Sequence, residues 1–230
     1  MRDYIFPPLH LPFFLIFILL PLFLTFLLVP TVFQVLFGVE KEVALLLFLL
    51  IVIGSFINIP VYKKPATFYS YQYNVFGIIY YVVRKGKIVV AVNLGGCIFP
   101  SILAFKAFLD TLIFINFVYF SIFLALATIL SYAAAKPVRH VGIVMPMLFP
   151  VLIAISSSIL VVFLSSAPLY VLPKLSFTIG VFSTILGADI LHLKDIEKIG
   201  EGVVSIGGAG TFDGIFLTGI FSALVSILMI

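Results

Sequence analysis

The sequence predicts an all-α polytopic membrane protein that crosses a lipid bilayer about seven times. Of its 230 residues, 63% are hydrophobic and only 10% are charged, and the mean hydropathy is +1.35. Soluble domains are about half apolar and about one quarter charged. Apolar runs of about 17 or more residues recur along the whole chain, and each can cross a hydrocarbon core of about 30 Å. Lipid is therefore the predicted solvent for most of the surface.

Polar breaks between the apolar runs define the predicted spans. The third span is the least regular, because Pro100, Lys106 and Asp110 interrupt it. No small-residue cleavage site follows the first apolar run, so we expect that span to be retained in the mature protein. The seven predicted spans cover 12–30, 43–59, 94–109, 111–132, 142–164, 175–191 and 207–230.

The basic residues predict the orientation of the chain. The formal net charge is +4, but the basic residues are scattered between apolar runs, so we expect no nucleic-acid partner. If the N-terminus is cytoplasmic, ten of the 13 lysines and arginines lie in cytoplasmic segments. We therefore predict a multi-pass plasma-membrane protein with its N-terminus in the cytoplasm and its C-terminus outside.

The longest predicted cytoplasmic connection contains a β-hairpin over about 68–93. Phe76–Val83 and Ile88–Asn93 are rich in β-formers, and they flank Arg84–Lys87, which we interpret as a basic turn. The segment also contains several tyrosines, whose amphipathic rings suit the headgroup region. The hairpin has either a structural role at the membrane surface or a role in guiding substrate.

The two halves of the chain resemble each other weakly. Three short segments of the first half recur in the same order in the second half, at matching places relative to the predicted spans. In some transporters, interrupted spans at matching positions of two halves indicate the binding site. The matched pairs are Pro7–His10 with Pro137–His140, Ile53–Ile57 with Leu186–Ile190, and Val92–Gly96 with Val204–Gly208.

These matches predict one membrane domain, 1–230, with a 3+1+3 arrangement of spans in parallel repeats. Repeat 1 covers about 7–110 and contains the hairpin as an insertion. A linker helix covers about 111–132, and repeat 2 covers about 137–230.

Two aspartates are the principal candidate site residues. Asp189 lies at the cytoplasmic end of the sixth span, and Asp213 lies near the start of the seventh. An ionisable residue within a span is a functional candidate, and neighbouring buried carboxylates can exchange a proton near neutral pH. A structural alternative stays open for each: Asp213 as a cap of the last helix, and Asp189 as the partner of Lys194 or Lys198.

Glycine-rich backbone surrounds these aspartates. The stretch 205–214 is poor material for a lipid-facing helix, because exposed backbone groups cost several kcal/mol each in hydrocarbon. It must therefore be buried in protein or line water. Asparagines occupy related places in the first half and provide either ligand contacts or interhelical hydrogen bonds. The predicted ligand-binding residues are Asp213, Asp189, Ser205, Gly207, Gly208, Gly210, Thr211, Asn58 and Asn93.

The stretch Leu186–Ile220, with its Gly-Ala-Asp and Ser-Ile-Gly-Gly-Ala-Gly-Thr-Phe-Asp-Gly motifs, resembles an uncharacterised family of archaeal and bacterial membrane proteins. This family is the domain of unknown function 1614. The resemblance extends over most of the chain, including Asn58–Pro60 and Asn93–Gly96. It implies a polytopic membrane fold and no particular activity.

The topology around Asp189 and Asp213 also resembles that of presenilin and signal-peptide peptidase, in which aspartates on consecutive spans flank a cytoplasmic loop. The resemblance implies that both aspartates are catalytic: one would activate water while the other protonates the scissile carbonyl.

Three functions are compatible with the sequence. Transport or permeation of an ion or small solute ranks first, because of the repeat and its interrupted spans. Intramembrane aspartyl proteolysis ranks second, and a non-catalytic structural or accessory subunit ranks third, so the chain is not assigned as an enzyme or a non-enzyme. No nucleotide loop, metal-ligand spacing or serine triad is found, and we expect no cofactor and no metal. The predicted partners are the bilayer and a small solute or ion; the oligomeric state stays open, a homo-oligomer included.

Overall fold

A computed structural model describes residues 10–75, 78–138, 142–146, 148–199, 202–208 and 214–230. Each of the seven predicted spans contains a long helix in these ranges. The helices are α1 (His10–Phe37), α2 (Lys41–Gly54), α3 (Phe99–Thr111), α4 (Phe117–Ala134), α5 (Leu148–Leu164), α6 (Leu172–Thr184), the short α7 (Ile196–Ile199) and α8 (Gly214–Leu228). The strands are β1 (Asn58–Val75), β2 (Ile78–Asn93), β3 (Lys136–Val138), β4 (Gly142–Val144) and β5 (Gly202–Ile206).

The helices have the composition of a membrane protein. In the described part of the chain, three helical segments are long and apolar enough to cross a bilayer: Leu94–Thr111, Phe117–Ala134 and Leu169–Asp195. Residues 23–37, 148–164 and 214–228 form shorter apolar helices. The prediction of a membrane protein that contacts lipid is therefore supported, while the number of crossings stays a prediction.

The chain divides into two compact units, Met1–Phe48 and Leu49–Ile230. In the first unit, the ring of Phe26 on α1 meets the ring of Phe48 on α2 edge to face, with centroids 5.0 Å apart. In the second unit, α6 is the central helix and is buried along almost its whole length. It packs against α3, α4, α5 and α8.

Small residues bring α6 and α8 close together, as is usual between membrane helices. A Cβ atom added to Gly219 would lie 2.6 Å from Cγ2 of Val181, so only glycine fits there without displacement. Further along the same pair of helices, the Ser226 hydroxyl donates a 2.8 Å hydrogen bond to the Ser176 hydroxyl. Close backbone contact and a polar link thus hold the two helices together.

The predicted interruption of the third span is not observed. A continuous helical segment runs from Leu94 to Thr111. Pro100 lies in the first turn of α3, directly after the π-helical turn Leu94–Ile98, and so does not end the helical segment.

The charges in this span neutralise each other. The ammonium groups of Lys106 and Lys174 lie 2.5 Å and 2.9 Å, respectively, from the two carboxylate oxygens of Asp110. Lys174 belongs to α6, so this ion cluster links the end of α3 to the start of α6. Thr178 adds a second link, because its hydroxyl donates to the Ala104 carbonyl at 3.1 Å.

The strands form a ribbon that differs from the predicted hairpin. Strands β1 and β2 pair antiparallel from Asn58↔Asn93 to Val75↔Ile78, and β5 adds in parallel to β2. The predicted basic turn at Arg84–Lys87 is wrong: these residues lie inside β2, opposite Pro65–Phe68. The preceding segment also alternates tyrosine with polar residues and so forms a full partner strand, which outweighs the local turn preference of Gly86. That the ribbon is cytoplasmic stays a prediction.

We expect the Asp110→Asn substitution to lower the free energy of unfolding by about 1–2 kcal/mol, because two lysines would lose their carboxylate in a half-buried site. Thermal unfolding in detergent measures this. Glu42→Gln, at an exposed position, is the control. An equal effect of the two substitutions would show that the ion cluster does not stabilise the bundle.

We expect Gly219→Ala to cost about 1–3 kcal/mol, because the new methyl group must push α6 and α8 apart. Gly214→Ala is the matched control on the same helix, since a Cβ there meets nothing within 4 Å. The same unfolding measurement applies, and equal stabilities of the two variants would contradict the close packing.

Candidate functional site

The end of α2 and the change from β2 to helix lie at one place, and the end of β5 lies beside them. Helix α2 ends at Gly54 and β1 begins at Asn58, while β2 passes directly into a helical turn after Asn93. Because Asn58 pairs with Asn93 and Val92 pairs with Ile206, the membrane-proximal ends of all three strands lie side by side. The sheet therefore joins the helices at a single junction.

Asn93 holds this junction together. Its side chain is fully buried, with 0% exposure. The amide nitrogen donates to the Ser55 carbonyl at 2.7 Å and to Oδ1 of Asn58 at 3.1 Å. Its Oδ1 accepts from the Gly96 N–H at 2.7 Å and so caps the turn that opens the helical segment. Both amide hydrogens and the oxygen are used, which makes Asn93 a structural link between three chain segments.

Asn58 and Ser205 extend the cluster towards the surface. Oδ1 of Asn58 also accepts a 2.5 Å hydrogen bond from the Ser205 hydroxyl. Asn58 is exposed and Ser205 is half-buried. Among the residues that the structure describes, the Asn58 amide nitrogen has no hydrogen-bond acceptor. We call Ser55, Asn58, Asn93 and Ser205 the asparagine junction.

Glycines let the backbones of the junction approach each other. Gly207 has a φ of +70°, and a Cβ there would lie 2.6 Å from the Gly96 carbonyl carbon. A Cβ on Gly95 would collide with the Ile51 carbonyl oxygen. Gly208, which is exposed, donates its N–H to the Ser205 carbonyl at 3.2 Å. Larger residues at Gly95 or Gly207 would separate the sheet from the helices.

Asp189 lies on a π-helical turn, Ile185–Ile190, and is half-buried. This turn contacts β5 and therefore lies at the same end of the bundle as the asparagine junction. Gly187 packs its backbone against the Thr128 carbonyl of α4. Asp189 and the junction are thus neighbours through β5.

The sequence did not reveal His192 and Tyr132 as part of this region. His192 is buried, its Nδ1 lies 3.1 Å from the Gly187 carbonyl oxygen, and its ring centroid lies 4.5 Å from that of Tyr132. The Lys194 ammonium lies 4.9 Å from the centre of the same tyrosine ring. The sequence signal that could have indicated this contact is His192 itself, three residues after Asp189 in the same helical segment.

Three buried hydroxyls also lie near the π-helical turn. Ser131, Ser183 and Thr184 make no side-chain hydrogen bond to any residue in the described part of the chain. Ser183 and Thr184 directly precede the turn, and Ser131 adjoins Gly187. Buried polar groups are usually paired, so these three hydroxyls are exceptions, and they adjoin the π-helical turn.

The predicted site residues fall into three groups. Asn58, Asn93, Ser205 and Gly207 come together at the asparagine junction, with Gly208 beside them. Asp189 lies on the neighbouring turn. The remaining three, Gly210, Thr211 and Asp213, lie outside the described residues, so the predicted aspartate pair stays a prediction.

We expect Asn93→Ala to lower the free energy of unfolding by about 2–4 kcal/mol, because it removes three hydrogen bonds and leaves buried backbone groups unpaired. Asn116→Ala is the matched control: Asn116 caps α4 through one 2.9 Å bond to the Val118 N–H and is exposed, so about 1 kcal/mol is expected. Thermal unfolding in detergent compares them. If Asn93→Ala costs no more than Asn116→Ala, Asn93 does not hold the junction together.

Comparison with known proteins identifies the family. No curated protein and no solved structure matches the chain. The comparisons give no support to the resemblance to presenilin. A protein-family profile, described as "Protein of unknown function (DUF1614)", matches residues 52–225, a range that includes the asparagine junction and Asp189. Because this range covers most of the sequence, the chain belongs to the DUF1614 family.

Proposed function

We propose that the chain carries an ion or a small solute across the bilayer, with its binding site where the asparagine junction and the Asp189 turn meet. The observation that carries this proposal is a pair of π-helical turns, Leu94–Ile98 and Ile185–Ile190. Each lies in a helical segment that is long enough to cross the membrane. Both lie at the same end of the bundle.

Such turns are informative because a lipid-exposed helix has no reason to give up regular hydrogen bonds. A π-helical turn shifts the backbone hydrogen bonds by one residue and is found frequently at functional sites. In a membrane, irregular backbone is tolerated only where it is buried in protein or lines water. Transporters use interrupted helices of this kind to bind substrates and ions.

The residues at this end provide suitable chemistry. In the proposal, Asp213 is the central binding or protonation residue and Asp189 is its candidate partner. An ionisable residue within a membrane-spanning segment is a functional candidate. The Asn58 amide and the Ser205 hydroxyl add uncharged polar contacts near the surface. The site would suit a small cation, a proton or a solute with a polar group.

The internal repeat supports the same location. The glycines of two matched pairs, Gly54 with Gly187 and Gly95 with Gly207, all stand where another chain segment approaches closely. Gly54 and Gly95 contact each other, whereas Gly187 contacts α4 and Gly207 contacts the turn after β2. Duplication followed by divergence of the packing would account for this pattern. In this proposal the N-terminus lies in the cytoplasm and the C-terminus lies outside.

Reconstituted liposomes test the proposal. With a pH-sensitive dye trapped inside and gradients of Na⁺, K⁺, Cl⁻ or protons imposed in turn, we expect flux above that of empty liposomes. Asp189→Asn and Asp213→Asn should each reduce it about tenfold or more, because each removes a charged hydrogen-bonding partner worth about 1.5–3 kcal/mol. Asp195→Asn, six residues after Asp189 and outside the π-helical turn, should leave the flux unchanged. Equal flux with and without protein would contradict transport of these ions.

The same liposomes distinguish transport from proteolysis. A model transmembrane peptide incorporated beside the protein should stay intact across the pH range. Cleavage that Asp189→Asn and Asp213→Asn both abolish would replace the transport proposal with an aspartyl protease.

A further inference from the structure

The β1–β2 ribbon extends well beyond its third strand. Strand β5 pairs only with Ile88–Val92 of β2. In the described residues, the ladder from Pro65–Val75 to Ile78–Lys87 is two-stranded and about 35 Å long. A two-stranded ribbon is at best marginally stable in water, so this distal ribbon needs a surface to lie on.

The strand register defines which face of the ribbon meets that surface. Residues directly opposite each other share a face, and successive residues alternate. On the proximal part, Ile88 and Val90 of β2 are buried, at 0% and 4% exposure, whereas Val203 of β5, on the opposite face, is 65% exposed. Along β2 and β5, the face that carries Ile88 and Val90 is therefore the more covered one, although Tyr62 of β1 on this face is 56% exposed and Ala91 on the opposite face is buried.

The positions that continue this face along the distal ribbon are rich in aromatic residues. By register, they are Phe68, Tyr71 and Tyr73 of β1 and Tyr80, Val82 and Arg84 of β2. The positions of the opposite face hold two tyrosines and two aliphatic residues, but also more polar and basic ones, among them Thr67, Gln72, Asn74 and Lys85. The tyrosine-rich face thus continues outward from the covered part of the sheet. Tyrosine is a residue that suits the boundary between lipid and water.

The positive charge of the ribbon favours an anionic partner. Between Asn58 and Asn93 the sequence has five basic residues and no aspartate or glutamate. Within the described part, one of them, Lys64, meets Glu197 of α7 at 2.6 Å, and this ion pair raises the pKa of Lys64. A second copy of the ribbon would bring the same positive charge and be repelled. An anionic surface is attracted instead.

We propose that the distal ribbon binds anionic phospholipid headgroups of the bilayer in which the helices are embedded. The tyrosine-rich face, which includes the Arg84 position, is proposed to lie at the headgroup level. Lys85 and Lys87 belong to the opposite face by register and add long-range attraction to the anionic surface. This surface is independent of the proposed transport site, because it involves neither the asparagine junction nor the aspartates.

Tryptophan fluorescence tests the proposal, since the chain has no natural tryptophan. Tyr71→Trp places a probe on the tyrosine-rich face, and Gln72→Trp places one on the opposite face. Each variant is reconstituted into nanodiscs of phosphatidylcholine, with or without phosphatidylglycerol, that contain lipids brominated near the headgroup. We expect bromine to quench the Tyr71→Trp variant much more strongly in the anionic discs, and more strongly than the Gln72→Trp variant. High salt should reduce the difference by screening.

Charge removal provides the second arm. Neutralising Arg84, Lys85 and Lys87 to glutamine in the Tyr71→Trp variant should lower the ratio of headgroup-bound to released ribbon about fivefold per charge, measured as lost quenching in the anionic discs. Neutralising Lys41, on α2 and outside the ribbon, should change nothing. Phe163→Trp, at a position 77% exposed on α5, reports lipid contact in every disc and confirms reconstitution of each preparation.

Two results would overturn the proposal. Equal quenching of the Tyr71→Trp variant in neutral and anionic discs would show that charge does not select the surface. Absence of quenching in both, with the Phe163→Trp variant quenched normally, would place the ribbon away from the bilayer; cross-linking between ribbons would then indicate a second copy of the chain as the partner.

Discussion

Where a strand passes directly into a membrane helix, some backbone N–H and C=O groups lack partners, because the hydrogen bonds of the β-ladder end before the helical ones begin. In this chain the Asn93 side chain supplies the missing partners. Its oxygen accepts from the Gly96 N–H, and its nitrogen binds the Ser55 carbonyl and the Asn58 side chain. Few backbone groups can be left unpaired near hydrocarbon, so the positions of β1, β2 and the following helix all depend on this buried amide.

The same junction explains the distribution of glycine. The backbone after β5 crosses the turn that Asn93 caps, and Gly207 allows that approach through both its small size and its left-handed conformation. Gly95 allows the equivalent approach from α2. A polar side chain provides the hydrogen bonds and the glycines provide the space, and neither would suffice alone.

The sequence predicted those features that depend on local composition. Each apolar run contains a helix, because hydrophobic length is a property of the segment itself. Asn58, Asn93, Ser205 and Gly207, which the sequence named as ligand-binding candidates, lie together in the fold, while their ligand-binding role stays a prediction. The basic turn at Arg84–Lys87 was wrong, because the pairing of β2 with β1 is a long-range interaction that outweighs a local turn signal. The charges of Lys106 and Asp110 looked like an interruption, although their i,i+4 spacing allows an ion pair on one helix face; the further pairing with Lys174 is long-range and cannot be read from the sequence. His192 and Tyr132 were missed for the same reason: their contact requires two spans to pack together.

The packed pair of helices α3 and α6 has different polar groups at its two ends, and this difference bears on function. At one end, Asp110 lies between Lys106 and Lys174, and its carboxylate is paired within the protein. Such a site needs no ligand to be stable. At the other end, both helices change to π-helical turns, buried hydroxyls adjoin the turn of α6, and Asp189 lies half-buried beside a sheet. π-helical turns are found frequently at functional sites, and a helix pair that needed only stability has no use for them. This asymmetry is the reason for placing the site at the asparagine junction and not at the ion cluster.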